Sequence, residues 1–189
     1  MSEFAAGLAE HAEVLGRMGA LEQPVGDVVD AITRCYAAGG RVYTFGNGGS
    51  AADSLHFAEE LVARFKRERR PLAAQSFAAD PTALTCIAND YEFDDVFARQ
   101  VRAFVREGDV AIGFTTSGKS PNVVRALAAA RELGAVTVLF GGGAGSPAAD
   151  HAVHSLVVPS SSTARVQEMH VLLLHLILDR VDAWALESE

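Results

Sequence analysis

Two cysteines in 189 residues are too few for a disulfide scaffold, and Cys35 and Cys86 lack CxxC spacing. Both sit in apolar, helix-like stretches and read as reduced structural thiols. Long apolar runs are also missing. The longest, Val171 to Leu178, is interrupted by His175 and falls short of the roughly 20 residues that span a bilayer. Positive charge is scarce: 16 Lys and Arg face 24 Asp and Glu, for a net charge of −8. That balance disfavours a duplex-binding surface. The only basic cluster, Lys66-Arg67-Glu68-Arg69-Arg70, reads as a solvated helix end and loop. The opening Met-Ser-Glu-Phe is unlike a signal or transit peptide, so a cytoplasmic protein is expected. No internal repeat or low-complexity linker divides the chain.

What is present is an alternation. Strand-like runs fall at 41–46, 72–78, 109–116, 135–141 and 154–158. Helical patterns lie between them at 50–66, 81–88 with 93–105, 119–133, a short piece near 146–150, and a final helix over 161–186. Two further helices, at 3–20 and 25–38, precede the first strand, the second stopping at Gly39-Gly40. Asp80-Pro81 reads as an N-cap followed by proline at the first helical position. The alternation predicts an α/β protein: one domain over 1–189, a three-layer sandwich on a five-stranded parallel sheet over 40–189, with helices in 1–38 for packing and oligomerisation. In such sheets ligands bind beyond the carboxyl ends of the strands.

Three stretches fall at those ends. Gly46-Asn47-Gly48-Gly49-Ser50 joins the first strand to a helix, and backbone N–H groups at a helix start suit an anion. The string also fits Gly-x-Gly-x-x-Ala formally, but the acidic residue that a dinucleotide fold requires at the end of the second strand is absent; Asp80 is better read as a cap. Thr115-Thr116-Ser117-Gly118-Lys119-Ser120-Pro121-Asn122 brings four hydroxyls to a helix start, a phosphate cup without P-loop spacing. Capping by Ser120 explains one hydroxyl and leaves the others. Asn89-Asp90 alone is ordinary turn chemistry.

Chemistry-bearing residues follow. His56 and Glu60 are four apart and share a helix face, as metal ligands or as a simple surface pair. His175 lies in a helix that is apolar nearly all round, so a buried imidazole needing a partner is expected. Gln167 precedes it by eight residues, about 12 Å along the helix axis. The two ligate one ion only if both side chains lean together, or one of them faces a neighbouring subunit's site.

Taken in order, Gly46-Asn47-Gly48-Gly49-Ser50, His56-Phe57-Ala58-Glu59-Glu60-Leu61, Asn89-Asp90, Thr115 to Ser120, and Arg165-Val166-Gln167-Glu168 with His175 resemble the phosphoheptose isomerases, a family of sugar-isomerase (SIS) domains. The resemblance covers about residues 40–180. It implies a cytoplasmic homotetramer with a flavodoxin-like sheet and active sites at subunit interfaces. It also implies one zinc ion per subunit, held by His56, Glu60, Gln167 and His175, and Glu60 with His175 as the acid–base pair. Substrate contacts are implied for Asn47, Gly48, Gly49, Ser50, Asn89, Asp90, Thr115, Thr116, Ser117, Ser120 and Gln167. Three positions depart from the family pattern. Thr115 replaces the first Ser of Ser-Thr-Ser but keeps the hydroxyl, Lys119 stands for the usual Asn, and Ala164 stands where some members carry Asp.

The implied reaction converts sedoheptulose 7-phosphate to D-glycero-D-manno-heptose 7-phosphate through an enediolate. A related, non-catalytic alternative is a SIS-domain adaptor that binds a replication initiator. Its pattern lacks counterparts of Glu60 and His175, and this chain has both.

Overall fold

The structure is a computed structural model and describes residues 2–143 and 146–188. Five strands, β1 (Val42–Gly46), β2 (Ala74–Ser76), β3 (Val110–Thr115), β4 (Val136–Gly142) and β5 (His154–Val158), form one sheet in the order β2-β1-β3-β4-β5. Every pairing is parallel. This is the flavodoxin-like order, as the alternation of strands and helices predicts. Among the described residues seven α-helices accompany the sheet: α1 (Glu3–Gly16), α2 (Glu22–Ala37), α3 (Gly49–Val62), α4 (Pro81–Asp90), α5 (Ala98–Phe104), α6 (Pro121–Glu132) and α7 (Thr163–Glu187). Short 3-10 turns occupy Met18–Leu21, Phe93–Asp95 and Pro147–His151.

Side chains alternate across the central strands, so the sheet separates two cores. Val42, Ile112, Phe114, Val138 and Phe140 face α2, α3 and α7, meeting Ile32, Phe57, Leu61 and Ile177. Tyr43, Phe45, Ala111 and Leu139 face α5 and α6, meeting Val101, Val123 and Leu127. The helix after β1 therefore lies on one face and the helix after β3 on the other. The point where the winding reverses lies between these paired strands, from Val42 against Val110 to Gly46 against Phe114. The crevice that opens there is flanked by the two loops that the sequence singles out.

Boundaries differ where tertiary contacts outweigh local pattern. Helix α3 stops at Val62, so the basic cluster 66–70 is irregular backbone, and Arg69 is buried instead of solvated. Asp80 caps α4 as expected, accepting from the N–H of Thr82 (2.8 Å) and Ala83 (3.1 Å). Helix α4 then runs on through Asn89-Asp90, which form its last turn and not a loop. Among the described residues no helix is long and apolar enough to cross a membrane. Cys35 is buried and free; Cys86 is free but exposed, contrary to a buried structural role.

Candidate active site

The glycine loop is shaped by close approach. Gly48 has φ +56°, a left-handed conformation that strains any residue with a Cβ. At Gly49 an added Cβ would lie 2.5 Å from Nε2 of Gln167, so the Gln167 amide rests on the first residue of α3. Ser50 is buried behind it. Asn47 points across the crevice. Its amide and that of buried Asn122 exchange reciprocal hydrogen bonds of 2.8 and 2.9 Å, tying the loop after β1 to the start of α6. Asn122 was not singled out in sequence because its partner is 75 residues away.

In the second loop the hydroxyls organise one another. Thr115 Oγ1 accepts the N–H of Gly118 (3.1 Å) and lies 3.3 Å from Ser120 Oγ. Ser117 Oγ accepts the N–H of Lys119 (3.2 Å), and Lys119 is exposed. Ser120 occupies the N-cap position of α6, but its side chain makes no capping bond and turns to Thr115 instead. Capping alone therefore does not account for this hydroxyl cluster. Thr116 is half-buried beside it.

Two turns along α3 from Gly49, His56 and Glu60 form the expected pair, with Nε2 to Oε1 at 3.4 Å. The His175 ring meets His56 edge-on, with centroids 5.2 Å apart. Phe65 stacks on His175 at 5.2 Å and 19°. Partial burial, and next the neighbouring His56, push His175 below the ordinary histidine value, while Glu60 pulls the other way. A neutral imidazole with a free lone pair is thereby favoured. Glu59 joins this group: donor atoms of His56, Glu59 and Glu60 lie within 4.8 Å of one another, and nitrogen with carboxylate oxygen is a suitable donor set for zinc.

The ligand set implied by the resemblance is thus only partly assembled within one chain. Helices α3 and α7 lie side by side, with Gln167 against Gly49 and His175 against His56. Gln167 is therefore about two turns away from the histidine pair. Asn89 and Asp90 are exposed at the end of α4, which buries no residue; Asn89 Nδ2 donates to Asp90 Oδ1 at 2.8 Å. Of the Arg-Val-Gln-Glu motif, Arg165 and Glu168 serve α1. Arg165 donates to the Gly7 carbonyl (2.7 Å), and Glu168 pairs with His11 (2.7 Å).

Burial corrects one expectation. The fully buried imidazole on α7 is His170, whereas His175 is only half-buried. Nε2 of His170 donates to the Gly141 carbonyl (3.1 Å), its Nδ1 has no described partner, and burial pushes its value down to about 4. Asp53, one turn before His56, went unnoticed in sequence. It is buried, its Oδ2 has no described hydrogen-bond partner, and burial raises its carboxyl to about 6 against the pull of His56. Its place one turn before His56 on α3 was its only local signal. A cavity of about 460 Å³ lined by Gly39, Arg41, Phe104, Glu107 and Asp109 opens at the amino ends of β1 and β3, the wrong end of the sheet for this site.

Comparisons with known proteins bear on the whole chain and its fold. The SIS domain family matches residues 8–142. A phosphoheptose isomerase of Paramagnetospirillum magneticum is 49% identical over 179 residues, covering 94% of this chain and 93% of its own. One from Aquifex aeolicus is 47% identical over 165 residues, covering 87% and 86%. The solved phosphoheptose isomerase GmhA of Neisseria gonorrhoeae superposes with a TM-score of 0.89 at 39% identity, over 95% of this chain and 97% of that one. A Francisella tularensis phosphoheptose isomerase gives 0.93 at 30% identity, over 97% and 100%.

Proposed function

The chain belongs to the phosphoheptose isomerase family of SIS domains, and from that premise we propose that it interconverts sedoheptulose 7-phosphate and D-glycero-D-manno-heptose 7-phosphate. The observation that carries the reading is the cluster of Glu60, His56 and His175 on the facing helices α3 and α7, which start at the same carboxyl edge of the sheet as the hydroxyl-lined start of α6. The phosphate sits in the cup of Thr115, Thr116, Ser117 and Ser120, where N–H and O–H donors meet the positive end of α6. Asn47, Gly48, Gly49, Ser50 and Gln167 hold the sugar chain at the opposite wall, with Asn89 and Asp90 completing the site across a subunit contact of a homotetramer.

Glu60 takes the pro-transfer proton from C1 of the ketose and returns it to C2. His175, neutral at pH 7, carries a proton between the oxygens on C1 and C2. A zinc ion held by His56, Glu60 and His175, with Gln167 contributed from a neighbouring subunit, would supply Lewis-acid stabilisation of developing negative charge. The chain's own residues bind the phosphate, orient the carbon chain and move both protons. A cytoplasmic setting suits a phosphorylated substrate. The rival adaptor reading gains nothing from the relatives above, which carry enzyme names.

The test is conversion of sedoheptulose 7-phosphate by purified protein before and after chelation. Activity is expected to fall at least about tenfold with chelator and to return with zinc. No conversion with zinc present would favour the adaptor.

A second expectation concerns Gly49→Ala. Its methyl group would displace the Gln167 amide, the end of a flexible side chain, while adding a helix-favouring residue at the start of α3. Melting temperature is expected to stay within about 4 °C of wild type, a ΔΔG of about 1 kcal/mol or less. kcat/KM is expected to drop at least about tenfold, because a displacement near 1 Å is costly in a preorganised site. Unchanged kinetics would remove Gln167 from the site.

A further inference from the structure

Arg69 and Asp182 form an ion pair whose side chains are 0% and 1% exposed, the most deeply buried ion pair among the described residues. Arg69 Nε donates to Asp182 Oδ1 at 2.8 Å. Its Nη2 donates to the carbonyl of Glu60 (2.7 Å), and its Nη1 to those of Leu61 (2.8 Å) and Arg70 (2.9 Å). Glu60 and Leu61 lie in the last turn of α3, where carbonyls have no partner within the helix. Asp182 Oδ2 accepts the N–H groups of Lys66 (2.8 Å) and Arg67 (3.1 Å). The same segment carries Phe65, which stacks on His175.

We propose that this buried pair is a positioning clamp for the active site, setting Glu60 on α3 and, through Phe65, His175 on α7 in one fixed relation. The proposal rests on the functional reading above. Along the seam between the two helices it forms a third tie, after Gln167 on Gly49 and His175 on His56. The seven residues from His175 to Asp182 make two turns of α7, and the nine from Glu60 to Arg69 bring the irregular segment back to meet them. Burying two charges is a poor route to stability alone, since apolar residues of similar volume often serve as well or better. The clamp supplies direction instead. Every donor of the guanidinium that the structure pairs is aimed either at the turn holding Glu60, at the chain beside it, or at α7.

Removing one partner leaves an uncompensated buried charge and unfolds too much to be informative. The test therefore uses the double variant Arg69→Met with Asp182→Leu, alongside Val101→Ala in the opposite core as a destabilised control. Three quantities are read on the full-length protein. They are the ring resonances of ¹³C-labelled His175 in metal-free protein, the zinc affinity by calorimetry, and kcat and KM separately. The double variant is expected to unfold cooperatively yet show displaced His175 resonances, zinc affinity weakened at least about tenfold, and kcat lowered at least about tenfold with KM moved less. The control is expected to keep all three near wild type. His175 resonances coinciding with wild type, or wild-type zinc affinity and kcat in the double variant, would overturn the clamp. A wild-type protein inactive on the heptulose phosphate would instead overturn the functional reading, and the His175 resonances would still decide the clamp.

Discussion

Glu60→Gln is expected to lower kcat by about a thousandfold while leaving the fold intact. General-base removal is worth about 10²–10⁴ in rate, and the amide keeps the carboxylate's shape but takes up no proton. The fold should hardly notice. Glu60 meets His56 at 3.4 Å with side chains 17% and 33% exposed, an i,i+4 pair worth only about 0.3–0.5 kcal/mol. Its backbone carbonyl, which Arg69 holds, is unchanged by the substitution. The kcat/KM of the variant, measured on sedoheptulose 7-phosphate with its melting curve alongside, checks both halves. Near-normal turnover would remove Glu60 as the base. His175→Gln is expected to fall less, because the proton that the proposed mechanism assigns to it moves between oxygens and water can substitute in part.

Acid stability should depend on two buried groups that act in opposite directions. His170 is held near 4 in the folded chain against 6.5 when exposed. As pH falls from about 6.5 to 4 the unfolded chain takes up a proton that the folded chain refuses, so stability is lost, by about 3 kcal/mol in full. Asp53 is held near 6 against 3.8. As pH falls from about 6 to 4 the folded chain takes up the proton first, so stability is gained by about 3 kcal/mol. In wild type the two contributions largely cancel. Asp53→Asn should therefore be more stable than wild type at pH 7 and lose that advantage on acidification, unmasking the His170 loss. His170→Gln can keep a donor to the Gly141 carbonyl, and with the Asp53 contribution left unopposed it should gain stability relative to wild type as pH falls over the same window. Urea unfolding of metal-free protein from pH 4 to 7.5 measures these differences. Parallel curves for wild type and both variants would refute the assignment.

Features legible in the sequence are local ones. Alternating strand and helix patterns, the Asp80-Pro81 helix start and the glycine turn each follow from a few adjacent residues, and they led to the correct sheet. His56 and Glu60 were legible because four residues make one helical turn. What failed was long-range. The exchange of burial between His170 and His175 depends on how α7 is rotated against the sheet, which a nearly all-apolar helix does not reveal. Arg69 sat inside a run of charges that looked solvated, and its partner Asp182 is 113 residues away. The Asn47–Asn122 exchange joins loops from two strands that only the sheet order makes neighbours. Asn89-Asp90 read as a turn because both residues favour turns, yet the capped α4 carries its helix through them. The motifs that resemble a family supplied what periodicity could not: that Gln167 and His175 on α7 belong with Gly49 and His56 on α3.

The central claim is proton transfer between C1 and C2 by a side chain that exchanges with solvent. Incubating the protein with sedoheptulose 7-phosphate in D₂O and following the sugar by NMR tests it directly. An aldose heptose 7-phosphate carrying deuterium at C2 is the predicted result. No aldose, or an aldose carrying no solvent deuterium, would contradict it.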